Sequence, residues 1–167
     1  MDPHLERLRQ AIDGAISGLS GQQLSWHPEG KWCIAEVLEH LYLTYTGTIK
    51  GFERVMAAGK ASTRARTWAD RGRTFVVVGL GYLPFGRQAP AVARPTGLPR
   101  EKVLAEILPK IAEMDEVIRR CEEIVGPGTL LDHPVLGPLS ARQWRKFDLV
   151  HGRHHAKQIY KLRGDAR

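Results

Sequence analysis

Only two cysteines, Cys33 and Cys121, occur among 167 residues, which excludes a disulfide framework and leaves burial of apolar side chains to hold the chain together. Reduced thiols and a cytoplasmic location are the expectation. Charged residues interrupt every apolar stretch well short of the ~20 residues that a membrane-spanning helix needs. The start, Met1-Asp2-Pro3-His4-Leu5-Glu6-Arg7, also lacks the basic-then-apolar order of a secretory leader. No membrane partner is expected. No segment repeats at a fixed period, and 43% hydrophobic with 26% charged residues excludes disorder and fits one domain over residues 1–167.

Acidic residues are the remaining scarcity, and the formal net charge is +7. The excess is local. Residues 59–100 carry eight basic and one acidic side chain, residues 140–167 carry eight and two, and the rest of the chain carries nine and fifteen. A polarised charge of this kind fits an anionic ligand near one end of the molecule as well as it fits nucleic acid.

Four segments show helical periodicity. Leu5, Leu8, Ile12, Ala15, Ile16 and Leu19 form one apolar stripe that Gly21 closes. The second runs from about Cys33 to Ala58, with Ile34, Leu38, Leu41, Tyr45, Thr48 and Phe52 on one face. The third, from about Glu101 to Val125, carries Leu104, Ile107, Ile111, Met114, Ile118 and Cys121; Pro109 within it predicts a kink or a late start. The fourth opens at Ser140, where Ser140 and Gln143 have capping-box spacing, and continues to about Leu162. With no alternating strand pattern between them, the segments predict an all-α four-helix bundle. Residues 60–100 are too long for an ordinary connection and read as a crossover, with a short helix or irregular segment over Thr74–Leu80.

Seven histidines are present, three of them on the last helix. At 100° per residue from His151, Trp144 falls at about +20°, His155 at about +40° and Gln158 at about −20°, so His151 and His155 share the core-facing stripe, with His154 at its edge. Imidazoles at i and i+4 can reach one metal ion, and His40, bordered by Val37, Leu41 and Thr44 on the second helix, can add a third nitrogen. The alternative is that all three are hydrogen-bonded core residues. Unsatisfied buried imidazoles are costly, so three on facing stripes favour a metal. The pair is not a His-Glu-x-x-His zinc-protease motif, since Gly152 and Arg153 stand between.

Gly30-Lys31-Trp32-Cys33-Ile34-Ala35-Glu36-Val37-Leu38-Glu39-His40-Leu41 and His151-Gly152-Arg153-His154-His155-Ala156-Lys157-Gln158 together resemble the DinB superfamily, which includes YfiT-like proteins. Tyr82-Leu83-Pro84-Phe85-Gly86 and the run from His133-Pro134 to Gln143-Trp144 resemble an uncharacterised subgroup of it. The resemblance implies a four-helix bundle with a long crossover between helices 2 and 3, often a homodimer. It also implies one divalent transition metal, zinc or nickel, held by His40, His151 and His155. Relatives of known activity transfer or isomerise with thiol cofactors, so a low-molecular-weight thiol is an implied cosubstrate. Cys33 departs from the Ser that commonly caps the second helix, which shifts capping toward Glu36.

Cys33 at a helix start is either a reactive thiol or a packed side chain, and seven residues separate it from His40, too far to share an ion. Cys121 reads as core. Glu36, Asp148, His154 and Gln158 are candidates to support the metal ligands through the free imidazole nitrogens, Glu36 being equally a capping residue. His4, His27 and His133 lie off the stripes, His133-Pro134 reading as a turn. Two function classes follow. One is a metal-dependent hydrolase or thiol-dependent transferase acting on a small, anionic substrate. The other is a binding module without a reaction, in which Arg64, Arg66, Arg71, Arg73 and Arg87, with Trp68 and Phe75, hold an anionic partner or, less favoured, nucleic acid. A bundle whose histidines are purely structural is the third reading. If the crossover and the last helix both border the histidines, their charge steers an anion to that site.

Overall fold

A computed structural model describes residues 1–83 and 88–166. The described residues form a mostly helical fold with six α-helices and one small two-stranded sheet. In chain order these are α1 (Pro3–Ile16), α2 (Gly21–Ser25), α3 (Ile34–Ala58), α4 (Trp68–Thr74), α5 (Arg100–Val125), β1 (Thr129–His133), β2 (Gly137–Ser140) and α6 (Ala141–Asp165). No helix among them is long and apolar enough to cross a membrane.

The helix ends follow local chemistry. Asp2 caps α1, its side chain accepting from the His4 N–H at 2.7 Å. The reciprocal Ser140–Gln143 box starts α6, Ser140 N–H donating to Gln143 Oε1 at 3.1 Å and Gln143 N–H to Ser140 Oγ at 3.3 Å. The same device at Ser20 and Gln23 starts α2, a short helix that the stripe pattern did not predict. α5 neither starts late nor stops at Pro109. One missing N–H donor weakens a helix, but Ile107, Ile111, Met114 and Ile118 are fully buried on one face, and tertiary packing of that stripe dominates.

α3 packs mainly on α5 and α1 mainly on α6, with α3 also meeting α6. Leu5, Leu8, Ile12, Leu38, Tyr45, Phe52 and Met114 meet in the shared core. Cys121 is fully buried there, as its stripe predicts.

The fold is mostly helical, as the periodicity predicts, and the hairpin is a small sheet added to it. β1 and β2 pair antiparallel, Leu131 opposite Leu139, and the pair is held from outside. Leu130 and Leu139 enter the core, Trp144 Nε1 donates to the Leu131 carbonyl at 3.0 Å, and Ser62 N–H donates to the Leu130 carbonyl at 2.9 Å. Two strands alone are marginal; here the helices on one side and the crossover on the other supply the stability. The turn reading of His133 matches the structure: its Nδ1 accepts from Val135 and Leu136 N–H, both at 3.1 Å, and burial lowers its pKa to about 4.

The crossover has structure of its own. α4 runs into a π-helical turn, Phe75–Gly79, which buries Val77 and Val78, and Ala91–Ala93 form a 3₁₀ turn against α3. Asp70 anchors α4: fully buried, it accepts from Arg64 Nη1 at 2.6 Å and Nη2 at 2.9 Å, from Arg73 Nη2 at 2.7 Å and from Thr67 N–H at 2.9 Å. These bonds, led by Arg64, hold its carboxyl far below the usual carboxylate range. Arg87 and the Pro84-Phe85-Gly86 part of the resemblance lie outside the described residues.

α1 and α6 meet at Gly152. A β-carbon there would collide with Leu8 Cδ1 and lie 3.0 Å from Tyr45 Oη on α3, so only glycine lets the three helices close. Gly152→Ala is therefore expected to cost about 1–3 kcal/mol through overpacking, read as a lower urea midpoint at unchanged slope.

Candidate metal centre

α3 and α6 bring His40, His151 and His155 together, one donor atom from each lying within 4.8 Å of the others. His151 and His155 project from successive turns of α6, and His40 faces them from the middle of α3. His151 Nε2 is 3.3 Å from His40 Nε2 and 3.1 Å from His155 Nε2. The rings meet edge-on, with centroids 4.7–5.3 Å apart. Trp32 packs against His40 at 5.3 Å, and Phe147 stacks on His151 at 5.6 Å and 9°.

The outer nitrogens fix the tautomers. His40 Nδ1 lies 2.7 Å from the Ala93 carbonyl, which can only accept, so Nδ1 carries the proton and Nε2 presents a lone pair. His155 Nδ1 lies 2.9 Å from Gln158 Oε1, with the same consequence. Burial is the main cause lowering the pKa of each ring: His155 falls to about 3, His151 well below its ordinary value, and His40 less far, its bond to Ala93 opposing the shift. All three are neutral at pH 7.

Two inward lone pairs thus face a third ring that has one N–H to offer. A proton on His151 Nε2 can make one good hydrogen bond and leaves the other lone pair poorly matched, whereas a cation among three Nε2 atoms uses all of them. The donor set fits a divalent ion of the zinc or nickel type, for which neutral imidazoles are the common ligands. His151 Nδ1 is then the protonated nitrogen, and it is buried without a hydrogen-bond partner.

Of the supporting residues expected from the sequence, Gln158 holds His155 as described. Glu36 does not reach His40: its Oε2 accepts from Cys33 N–H at 2.8 Å and lies 3.5 Å from His27 Nδ1, so it caps α3 because the Cys33 thiol is a weak cap. His154 packs edge-on against His155 at 5.1 Å and stands outside the converging three; burial, then Lys157, lowers its pKa. Asp148 is fully buried, yet neither carboxyl oxygen has a hydrogen-bond partner, so no bond to His151 is formed. Burial raises its pKa well above the ordinary value, and it lies near the Tyr45 hydroxyl, itself buried and unpartnered. Cys33 is buried, and burial pushes its thiol pKa up, away from the reactive thiolate form. His27, Cys33 and Glu36 also bring donor atoms within 4.8 Å of one another, around the capping bond.

Sequence reasoning missed the partner of His40. Ala93 holds it with a backbone oxygen, which no side-chain pattern encodes. Beside it, Glu39 is buried and accepts from Thr96 N–H at 2.6 Å, Thr96 Oγ1 at 2.9 Å and Gly97 N–H at 3.2 Å. Burial alone would raise its pKa, and the hydrogen bonds outweigh it. Glu39 thereby ties the crossover to α3 next to His40; the nearest signal was a carboxylate adjoining a candidate ligand. The cations divide. Arg64 and Arg73 are held by Asp70, while Arg66, Arg71, Arg142 and Lys146 line a separate cleft that none of the three histidines borders.

A family model described as a protein of unknown function (DUF1569) matches residues 1–162, a span that includes every histidine of the chain. No curated protein and no solved structure matches.

Asp148 gives a pH test. A carboxyl whose pKa is raised on folding binds more protons folded than unfolded. Its cost is therefore absent below the unfolded value of about 3.9 and grows as pH rises above it. Asp148→Asn should melt higher than the parent at neutral pH, with the difference shrinking as pH falls toward about 4; a constant difference across that range would contradict a carboxyl whose pKa is raised on folding.

Proposed function

The chain belongs to this family of unknown function, DUF1569, and we propose that it is a divalent-metal-binding protein of DinB type. In this reading α1, α3, α5 and α6 are the four helices of the bundle and residues 60–100 its long crossover. The observation that carries the proposal is the convergence of three neutral imidazoles through Nε2, two of them with Nδ1 already committed to an acceptor.

A zinc or nickel ion held by His40, His151 and His155 would supply Lewis acidity toward water, a thiol or a substrate oxygen at neutral pH. The chain's own residues orient and shield. Ala93 and Gln158 aim His40 and His155 inward, and such outer bonds also raise ligand basicity. Glu39 fastens the crossover so that the Ala93 oxygen stays in place. Trp32 and Phe147 wall two of the rings with apolar surface, while His151 stays partly exposed, which leaves an approach for a small molecule. The reaction class that fits is hydrolysis or thiol transfer on a small substrate, with a low-molecular-weight thiol as cosubstrate in the second case.

Protein purified without a metal-affinity column should contain about one equivalent of zinc or nickel per chain by elemental analysis, or take it up on dialysis. It should also melt higher with metal than after chelation, because an ion that binds only the folded state stabilises it. His40→Ala should lose the metal while keeping its helical circular dichroism, and His4→Ala should keep both. Absence of metal in the parent, with none gained on dialysis, overturns the reading.

A further inference from the structure

A cleft lies between α4, the π-helical turn, the hairpin and the start of α6. Its volume is about 720 Å³, within the range of small-molecule pockets. Arg66 and Arg71 enter it from the crossover, Arg142 and Lys146 from α6, and no carboxylate among the described residues lines it.

What sets these cations apart is that four of them share one concavity whose described lining holds no carboxylate. Arg64 and Arg73 are saturated by Asp70, and Arg145 is paired with Asp115 at 2.9 Å. By contrast Arg66 Nε is buried and donates to nothing, and Arg142 makes no ion pair among the described residues. Arg71 lies over the Trp68 ring at 4.9 Å, and Lys146 Nζ donates only to the Gly79 carbonyl, at 3.3 Å. Four like charges brought into one concavity repel each other, and a polyanion relieves that repulsion. The start of α6 adds to the field: Ser140, Arg142 and Gln143 line the cleft, so the partial positive charge at the N-terminal end of a 25-residue helix lies beside it. Phe75 is 63% exposed and offers a flat apolar face beside the guanidinium groups.

We propose that this cleft binds a nucleotide-like phosphate ester, its phosphates held by Arg66, Arg71, Arg142 and Lys146 and its ring against Phe75. Guanidinium forks match phosphate oxygens in pairs, which a single carboxylate would not use fully. The cations converge on one open cleft from two elements, the crossover and α6, which favours a compact phosphate ester over a polynucleotide. The site is separate from the three histidines and does not depend on the metal reading.

Calorimetric titration of the full chain with ATP, inorganic pyrophosphate, adenosine and a short single-stranded oligonucleotide tests it. ATP should bind more tightly than pyrophosphate, and adenosine should not bind measurably. Arg142→Ala and Arg66→Ala, which remove no internal ion pair, should each weaken ATP by about tenfold or more. Arg153→Ala, an exposed cation outside the cleft, should leave the affinity unchanged, and so should His151→Ala. Arg142→Gln and Lys146→Gln repeat the test if an alanine variant fails to fold by circular dichroism. Failure of both ATP and pyrophosphate to bind, tighter binding of the oligonucleotide than of ATP, or equal losses in Arg153→Ala and Arg142→Ala would each overturn the proposal. Loss of metal in His151→Ala with retained ATP binding separates this site from the metal centre.

Discussion

An imidazole placed among apolar side chains must find a partner for each ring nitrogen, and three imidazoles placed together must also avoid pointing lone pairs at one another. Most of the local architecture answers that constraint. The 3₁₀ turn at Ala91–Ala93 lies where a carbonyl can meet His40, and Glu39 pins the following backbone so that the carbonyl cannot drift. Gln158, one turn beyond His155, does the same within α6. What remains is the inward set of Nε2 atoms, which among the described residues meet only one another.

The ligand candidates were legible because helical periodicity is a strong signal. His151 and His155 fall on the stripe that includes Trp144 and Phe147, and His40 lies among the buried positions of α3. Their support was legible only where a side chain acts within its own helix, as Gln158 does. Ala93 was out of reach because its contribution is a backbone oxygen carried in from 53 residues away. Glu36 offered two readings and took the capping one, since a thiol at the N-cap leaves an N–H that the carboxylate satisfies. The hairpin was hidden for a related reason: in Thr129–Ser140 the apolar residues fall mostly in adjacent pairs broken by Pro134, Gly137 and Pro138, so they do not alternate, and the order comes from Trp144, Ser62 and the core beneath Leu130 and Leu139.

Within the net charge two groups of cations stand out. One is internal: Arg64, Arg73 and Arg145 are bound to buried or half-buried carboxylates and act as struts. The other faces the cleft without acidic partners. A count of basic residues cannot separate them, because the distinction depends on where Asp70 and Asp115 lie in three dimensions.

Gly152 bears no functional group, yet the geometry of the three imidazoles passes through it. It sits between the two histidines of α6 at the point where that helix touches both Leu8 and Tyr45. In the proposed metal centre, coordination bonds near 2 Å would tolerate errors of only a few tenths of an ångström, less than the width of one methyl group. The hydrogen atom at this position is thus a length standard for the site: it fixes how near α6 comes to α3, and so whether three rings can share one point in space.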